Sequence, residues 1–365
     1  MLQYTKDIFY TGGMKLLTTK AIEERFIKFI KSRHLFPEGD TNKRASRERT
    51  VKKMRIGIGV SGGPDSVCLA LLMKRYQKQM HLDPVVIHVN HHLRGKESDR
   101  DERFVRDLSS DVLGFEFVNR DIVFTPGELK GQSLEAAARE KRYAVFEDCR
   151  KSLHLGRIAL AHTMNDNAET VLINMLRGTG VSGICGIPPA RDYIIRPLLA
   201  LSRENVLRYL KLNNAASVTD STNELPDYLR NRVRHEIIPN LTQLNPGFLN
   251  HTLALSNDLR AIDAFLTGMA QKAYTEVLDE GKPNRLLLDL KKLFAYDRVM
   301  IKLIIQIAVK NILGTYYNPR REHLDFIMDM LEKTGDNSLS LDMFPGNLIV
   351  YKDKNHLILD KKGRK

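Results

Sequence analysis

The chain has 365 residues, 42% of them hydrophobic, so it is long enough for two or three domains and apolar enough to bury a core. Its formal charge of +13 favours a polyanionic partner, such as nucleic acid or an anionic membrane, over an acidic protein surface. The cysteines lack Cys-x-x-Cys spacing and offer neither a disulfide framework nor a four-thiolate metal cage. No membrane-span or signal-peptide pattern occurs, so we expect a cytoplasmic protein.

The first predicted element is a packing helix with Thr19 as its N-cap. Its apolar residues recur on one face and are Ile22, Phe26, Phe29 and Ile30. Residues 43–55 follow, with seven basic residues, one acid and almost no apolar periodicity, which is typical of a solvated linker. Contact with RNA is the alternative for this linker. We expect residues 1–53 to form an N-terminal extension.

Apolar runs then alternate with helical stretches up to about residue 245. The predicted strands are RIGIGV, PVVIHVN, FEFVNRDI and RIALAH, and the helices between and after them cover 66–79, 99–113, 134–153 and 166–176. Strands separated by such helices join one sheet only through crossovers, which predicts a doubly wound parallel α/β domain over 54–245. Ligands of such sheets bind at the carboxyl ends of the strands.

Residues 246–365 form a second predicted domain, which is mainly helical. The pattern is helical from Phe248 to Lys333. The chain then closes with two predicted strands, in SLSLDMF and NLIVYKDKNHLIL. We therefore expect a helical C-terminal domain that ends in a short β element.

A loop with the sequence SGGPDS, residues 61–66, lies between the first predicted strand and its helix. Gly62 and Gly63 let the backbone fold back and aim successive N–H groups at one point. Serine hydroxyls and the positive end of the helix dipole add to this, which suits a pyrophosphate group. Asp65 would repel that group unless a divalent cation lies between them, so the loop implies Mg²⁺.

Two better-known phosphate motifs do not fit this loop. The residues from Gly57 to Gly62 spell GxGxxG, but the first two glycines fall inside the strand, and the second strand ends in Asn90 and His91 without an acid for a ribose. The Walker pattern needs Gly-Lys-Ser/Thr, which the chain lacks. The remaining alternative is a tight turn in which Asp65 only caps the helix.

The SGGPDS loop resembles the SGGxDS signature of the PP-loop ATP pyrophosphatases, which cleave ATP to AMP and pyrophosphate. Four further stretches resemble the tRNA(Ile)-lysidine synthases within that superfamily: HVNHHLRG (88–95), SLEAAAREKRY (133–143), AHTMNDNAETVLINMLRGTG (161–180) and DSTNELPDYLRNRVRHEIIPNLTQLNP (220–246). The likeness covers most of the chain and implies a Rossmann-like PP-loop ATPase domain followed by a tRNA-binding domain.

The resemblance also implies a reaction. Enzymes of this family join free L-lysine to the wobble cytidine of the isoleucine tRNA with a CAU anticodon, through an adenylated tRNA, and release AMP and pyrophosphate. It implies ATP as cosubstrate, Mg²⁺, tRNA(Ile) and lysine as partners, no membrane, and a homodimer as one option.

Residue types and the resemblance together give the candidate site. The expected catalytic and Mg²⁺-binding residues are Asp65 and Asp166. The expected nucleotide-binding residues are Ser61, Gly62, Gly63, Pro64, Asp65, Ser66, His91 and Arg94. The expected substrate-binding residues are Arg139, Arg142, His162, Glu169, Arg177, Asn223, Arg230 and Arg234.

Several of these assignments have alternatives. The family usually has two adjacent acids where this chain has Asn165-Asp166, so a role that needs charge at the first position stays open. Glu169 fits a helix-surface or capping role as well as substrate contact, and His162 fits a packed strand end. The two arginine pairs also have alternatives without a function. Arg139 and Arg142 fit ion pairs with acidic residues at the surface, and Arg230 and Arg234 fit a solvated basic helix.

Two rival functions remain at this point. A PP-loop tRNA thiolase inserts sulfur and typically uses paired cysteines, which this chain lacks, although a single persulfide on Cys185 is compatible with the sequence. A nucleotide-regulated RNA-binding protein without catalysis is the second rival, and Asn165 is its only hint.

Overall fold

The computed structural model describes residues 17–36, 53–92, 95–122, 134–218, 228–314, 319, 321–333 and 348–361. The chain divides into two compact units. The first unit comprises Met1–Ile173 and Gly186–Ala254, and the second comprises Asn174–Cys185 and Leu255–Lys365. The domain boundary at residues 245–246 stays a prediction.

Strands and helices alternate through the first half of the described chain. The strands are β1 (Met54–Gly59), β2 (Leu82–Asn90), β3 (Glu116–Asp121), β4 (Arg157–Ala159), β5 (Ala190–Arg191), β6 (Ile194–Ile195), β7 (Leu278–Lys282), β8 (Arg285–Asp289), β9 (Leu348–Lys352) and β10 (His356–Lys361). The α-helices are α1 (Thr19–Ser32), α2 (Pro64–Tyr76), α3 (Lys96–Asp107), α4 (Leu134–Ser152), α5 (Met164–Leu176), α6 (Val181–Ile184), α7 (Arg203–Leu212), α8 (Tyr228–Arg232), α9 (Ile238–Leu244), α10 (Phe248–Val277), α11 (Leu290–Leu293), α12 (Arg298–Leu313) and α13 (Arg321–Glu332). Short π-helical turns cover Leu108–Leu113 and Val233–Ile237, and a 3₁₀ turn covers Pro197–Ala200.

The sheet of the first unit has the strand order β3-β2-β1-β4-β6-β5. All neighbours are parallel except the terminal β5–β6 pair. The order reverses between β1 and β4, which is the switch point where ligands of doubly wound sheets bind. The predicted fold class is therefore confirmed, and the switch point lies where the SGGPDS loop leaves β1.

The two glycines inside β1 serve close packing. A Cβ atom at Gly57 would lie 2.7 Å from Cδ1 of Ile87, and one at Gly59 would lie 2.8 Å from Cδ2 of Leu160. Both distances are shorter than real carbon contacts allow, so a side chain at either position would force the neighbouring side chain of Ile87 or Leu160 to shift. Gly57 and Gly59 are thus packing residues of a central strand, in agreement with the rejection of a dinucleotide motif.

Helix α1 packs into the core of the first unit as predicted. The four residues of its apolar face, Ile22, Phe26, Phe29 and Ile30, are all buried. The predicted N-cap is wrong by one residue, because Oγ1 of Thr18 accepts the hydrogen bond from the N–H of Ala21, at 3.3 Å. Two consecutive threonines offer the same capping chemistry, and only tertiary packing decides where the helix begins.

The second unit contains an antiparallel sheet with the order β7-β8-β10-β9. The predicted run of helices is wrong at β7 and β8, which form a hairpin around Pro283-Asn284. Leu286 and Leu288 alternate towards the core of this unit, a period of two that the helical pattern on both sides obscures. The prediction of strand structure in NLIVYKDKNHLIL is confirmed, although this stretch forms two strands, β9 and β10, instead of one; SLSLDMF lies outside the described residues. Among the helices of the described ranges, none has the length and apolar character to cross a membrane.

Candidate active site

The SGGPDS loop turns sharply between β1 and α2. Gly62 has a φ of +93°, a left-handed conformation that favours glycine. Ser66 is buried, and its Oγ accepts from the N–H of Ser61 at 3.2 Å and donates to the carbonyl of Gly63 at 2.9 Å. Ser66 therefore fixes the shape of the loop, and its predicted contact with phosphate stays a prediction.

The amino end of α2 is open to an anion. Gly63 is its N-cap, Pro64 is its first residue, and no side chain in the described part of the chain caps it. The alternative in which Asp65 only caps the helix is therefore wrong. The first N–H groups of α2 remain available, at the positive end of the helix dipole.

Asp65 is the most unusual carboxylate of the site. Its Oδ1 is buried and has no hydrogen-bond partner among the described residues. Burial, followed by the charge of Asp166, raises the pKa of Asp65 to about 6, while Arg203 and Arg234 act in the opposite direction. An ionised oxygen in this position is costly unless a cation compensates it.

Asp166 lies in the first turn of α5, the helix that follows β4. Its Oδ2 accepts from the N–H and Oγ1 of Thr163, at 2.7 and 2.8 Å, which fixes the orientation of the carboxylate. Its charge reaches Asp65 across the switch point. The two carboxylates fit Mg²⁺, which proteins commonly hold with one or two carboxylates and the phosphates of a substrate. No group of three or more potential ligand side chains occurs in the part of the chain that the structure describes.

Asn165 has a structural partner. Its Oδ1 accepts from the N–H of Arg203, at 2.9 Å, and so satisfies the first residue of α7. An uncharged acceptor suffices for this contact. The contact also holds Arg203 close enough to Asp65 for the charge of Arg203 to lower the pKa of Asp65. Sequence reasoning missed Arg203, because no motif marks it and its place depends on how α7 packs in the fold and on the hydrogen bond from its N–H to Asn165.

Glu169 binds two arginines from the helix that carries the basic motif. Its side chain is 1% exposed. Nε and Nη2 of Arg234 donate to its two oxygens at 2.7 and 3.0 Å, and Nε of Arg230 lies 3.4 Å from Oε2. The helix-surface alternative for Glu169 and the solvated-helix alternative for the arginines are therefore wrong. Glu169 positions Arg234, and contact of Glu169 with substrate stays a prediction.

Arg234 also reaches the carboxylate of Asp166. Its Nη2 lies 3.3 Å from Oδ1 of Asp166. The residue lies in the π-helical turn Val233–Ile237, a local irregularity that is frequent at functional sites. Arg234 is thereby held between Glu169 and the Asp65–Asp166 pair.

His162 follows β4 directly and carries a neutral ring. Burial lowers its pKa to about 4, and the charges of Arg196, Arg139 and Arg142 lower it further against the opposing charge of Asp166. Its Nδ1 is buried without a hydrogen-bond partner among the described residues. The charges of Arg139 and Arg142, two further predicted substrate-binding residues, thus reach His162 near the end of β4.

The other predicted residues are placed as follows. His91 is half-buried directly after β2. Arg177 is exposed, follows α5, and belongs to the second unit. Arg94 and Asn223 lie outside the described residues, and their roles stay predictions.

All three cysteines are buried: Cys68, Cys149 and Cys185. Burial raises the pKa of the Cys185 thiol. Reactive sulfur chemistry needs an accessible thiol with a lowered pKa. The persulfide alternative therefore has no support from this residue.

The sequence is similar to known proteins over most of its length. Residues 33–241 match the PP-loop domain family. The tRNA(Ile)-lysidine synthase of Clostridium acetobutylicum is 32% identical over 84% of this chain and 66% of its own length. The enzyme of the same name from Clostridium perfringens is 30% identical over 94% of this chain and 70% of its own length, and that of Bacteroides thetaiotaomicron is 34% identical over 77% and 64%. The chain thus spans 64 to 70% of the length of these three relatives.

A solved structure supports the fold. The U34-tRNA thiolase NcsA from Methanococcus maripaludis, with its 4Fe-4S cluster, matches with a TM-score of 0.52 and 19% identity. The match covers 66% of this chain and 79% of the thiolase. At this level of identity the likeness concerns the fold alone.

Replacement of Asp65 tests the charge balance of the site through stability. The pKa of Asp65 in the folded protein, about 6, lies above its ordinary value of 3.8. The folded state therefore binds this proton more tightly, and the free energy of unfolding falls as the pH rises from 3.8 to about 6. We expect Asp65→Asn to be more stable than the wild type near neutral pH by about 1–3 kcal/mol.

Urea denaturation without nucleotide or metal measures this difference. The gain should disappear towards the acid end of that range, where Asp65 is neutral in both states. Equal stability of the two proteins at neutral pH would contradict the arrangement described for Asp65.

Replacement of Glu169 tests its role in positioning Arg234. We expect Glu169→Gln to lower the free energy of unfolding by about 1–3 kcal/mol, because a buried, charge-assisted pair of hydrogen bonds is lost. Glu147→Gln is the matched control, because Glu147 pairs with Arg150 and Lys151 at the surface. Chemical denaturation should show a much smaller loss for the control, and equal losses would argue against a special role for Glu169.

Proposed function

Because this chain belongs to the PP-loop family of the tRNA(Ile)-lysidine synthases, we propose that it joins free L-lysine to C2 of the wobble cytidine in tRNA(Ile) with a CAU anticodon. ATP is the cosubstrate, and AMP and pyrophosphate are released. The observation that carries the proposal is the pairing of the open loop at α2 with Asp65 and Asp166 across the switch point. The tRNA substrate implies a cytoplasmic location.

The reaction has two steps. The cytidine O2 attacks the α-phosphate of ATP, so that an O–P bond forms and the bond to pyrophosphate breaks. A neutral amine of lysine then attacks C2, the C–O bond breaks, and AMP leaves with the oxygen. The amine has an ordinary pKa of ~10.4 and must lose one proton before attack and one after it.

The residues of the site have roles in the first step. The N–H groups of the loop and of α2 bind the departing pyrophosphate. Asp65 and Asp166 would hold Mg²⁺, which supplies positive charge to the phosphates when bound. Arg234, oriented by Glu169, adds a fixed guanidinium beside the same carboxylates.

The rival functions have less support. The thiolase alternative lacks paired cysteines, and the thiol of Cys185 is buried. The non-catalytic alternative depended on Asn165, whose amide oxygen has a structural use at α7. Binding of tRNA by residues 246–365 and a homodimer stay predictions.

A labelled-lysine assay tests the proposal. Purified protein with ATP, Mg²⁺, labelled lysine and an unmodified tRNA(Ile) transcript should incorporate lysine into the RNA and form AMP. A transcript with uridine at the wobble position is the control and should incorporate none. Asp65→Asn should lower the rate on the order of 10²-fold or more, because charge stabilisation at the phosphates is lost.

Three outcomes would contradict the proposal. They are ADP as the nucleotide product, lysine incorporation that survives Asp65→Asn, and AMP formation that depends on sulfide instead of lysine.

A further inference from the structure

Three arginines surround one tyrosine in the first unit, and we call Arg139, Arg191, Arg196 and Tyr143 the Tyr143 cluster. The guanidinium carbons of Arg139 and Arg191 lie 5.3 and 5.9 Å from the ring centroid. Nη2 of Arg139 and Nη2 of Arg196 each donate to the Tyr143 hydroxyl, at 3.5 Å. The tyrosine thus contacts Arg139 and Arg191 with its ring, and Arg139 and Arg196 with its hydroxyl.

The charge of the Tyr143 cluster is not balanced by the surrounding protein. No carboxylate of a described side chain forms an ion pair with any of the three arginines. Arg196 is 2% exposed, its Nη1 donates to the carbonyl of Pro188 at 2.8 Å, and its Nε is buried without a partner in the described ranges. A guanidinium buried without an acid is unfavourable, and an anionic ligand would compensate it.

The Tyr143 cluster lies beside the candidate active site. Arg139 and Tyr143 belong to α4, Arg191 belongs to β5, and Arg196 follows β6 at the edge of the sheet. The charges of Arg139 and Arg196 reach His162 at the end of β4. The cluster therefore adjoins the switch point on the side of β4 that is remote from the SGGPDS loop.

We propose that the Tyr143 cluster binds a phosphate of the RNA backbone next to the nucleotide that is modified, an inference that rests on the proposed function. Arg139 and Arg191 are exposed, and their stacking on one ring prepares planar guanidinium groups for bidentate contact with a phosphate. The buried Arg196 donates a hydrogen bond to the hydroxyl of Tyr143 and adds a third positive charge to the cluster.

The other two substrates of the proposed reaction, ATP and lysine, fit this surface less well. The phosphates of ATP have the loop and the amino end of α2, on the opposite side of β4. Free lysine carries a net positive charge at neutral pH, and arginines without a described acid would repel it. An exposed pair of arginines with a buried third matches a polyanion that lies across the surface.

The salt dependence of tRNA binding tests this assignment. Loss of one phosphate contact in Arg191→Gln should reduce the slope of log affinity against log salt by about 0.7 and weaken binding about 5-fold near 0.1 M salt. Arg75→Gln is the matched control, because Arg75 is exposed near the far end of α2. Arg191→Lys should recover part of the affinity, since the charge remains and the stacked guanidinium is lost.

Steady-state kinetics of the same variants separate the possible ligands. Arg191→Gln should raise the KM for tRNA and leave the KM for ATP and for lysine unchanged. An unchanged salt slope, or a raised KM for ATP or lysine alone, would overturn the assignment of the Tyr143 cluster.

The test of the Tyr143 cluster can fail independently of the test of the proposed reaction. Wild-type protein that binds tRNA without incorporating lysine would refute the proposed reaction, while the slope of Arg191→Gln still decides the role of the cluster. Wild-type protein that binds no tRNA would overturn both. Tyr143→Leu, compared with Tyr143→Phe, provides a second test, because only the leucine removes the ring on which the arginines stack.

Discussion

The buried and unpartnered oxygen of Asp65 is the constraint on which the site of the first unit depends. Within the described residues nothing donates to it, and Asp166 adds a second negative charge nearby. The protein tolerates this cost because the loop at Gly62 and the start of α2 fix Asp65 in place. The ionised Asp65 is unfavourable in the empty site and favourable once a cation and phosphates bind. The charges of the site are therefore already in place before the ligand binds.

The sheet explains why the charges of the two carboxylates influence each other. Asp65 follows β1 and Asp166 follows β4, and these strands are neighbours at the point where the strand order reverses. Their connections leave on opposite faces and open a crevice there. Arginines then surround the crevice: Glu169 orients Arg234 from one side, and Asn165 places Arg203 through the start of α7.

The sequence predicts the parts of this arrangement that depend on local chemistry. Glycines, a proline and an aspartate after an apolar run mark the loop, and the alternation of strands and helices gives the doubly wound sheet. The pairing of Glu169 with Arg230 and Arg234, the approach of Arg203 and the stacking of Arg191 on Tyr143 depend on which elements meet in the fold, and no spacing in the chain encodes that. The β7–β8 hairpin was missed because a short alternating run lies between two strong helical patterns.

The position of the metal in a nucleotide complex tests the central claim most directly. Crystals grown with Mn²⁺ and an ATP analogue that resists cleavage at the α-phosphate would locate the ion by its anomalous scattering. The account predicts the ion between the carboxylates of Asp65 and Asp166, with the terminal phosphates at the amino end of α2. A nucleotide bound elsewhere, or an ion that touches neither carboxylate, would contradict it.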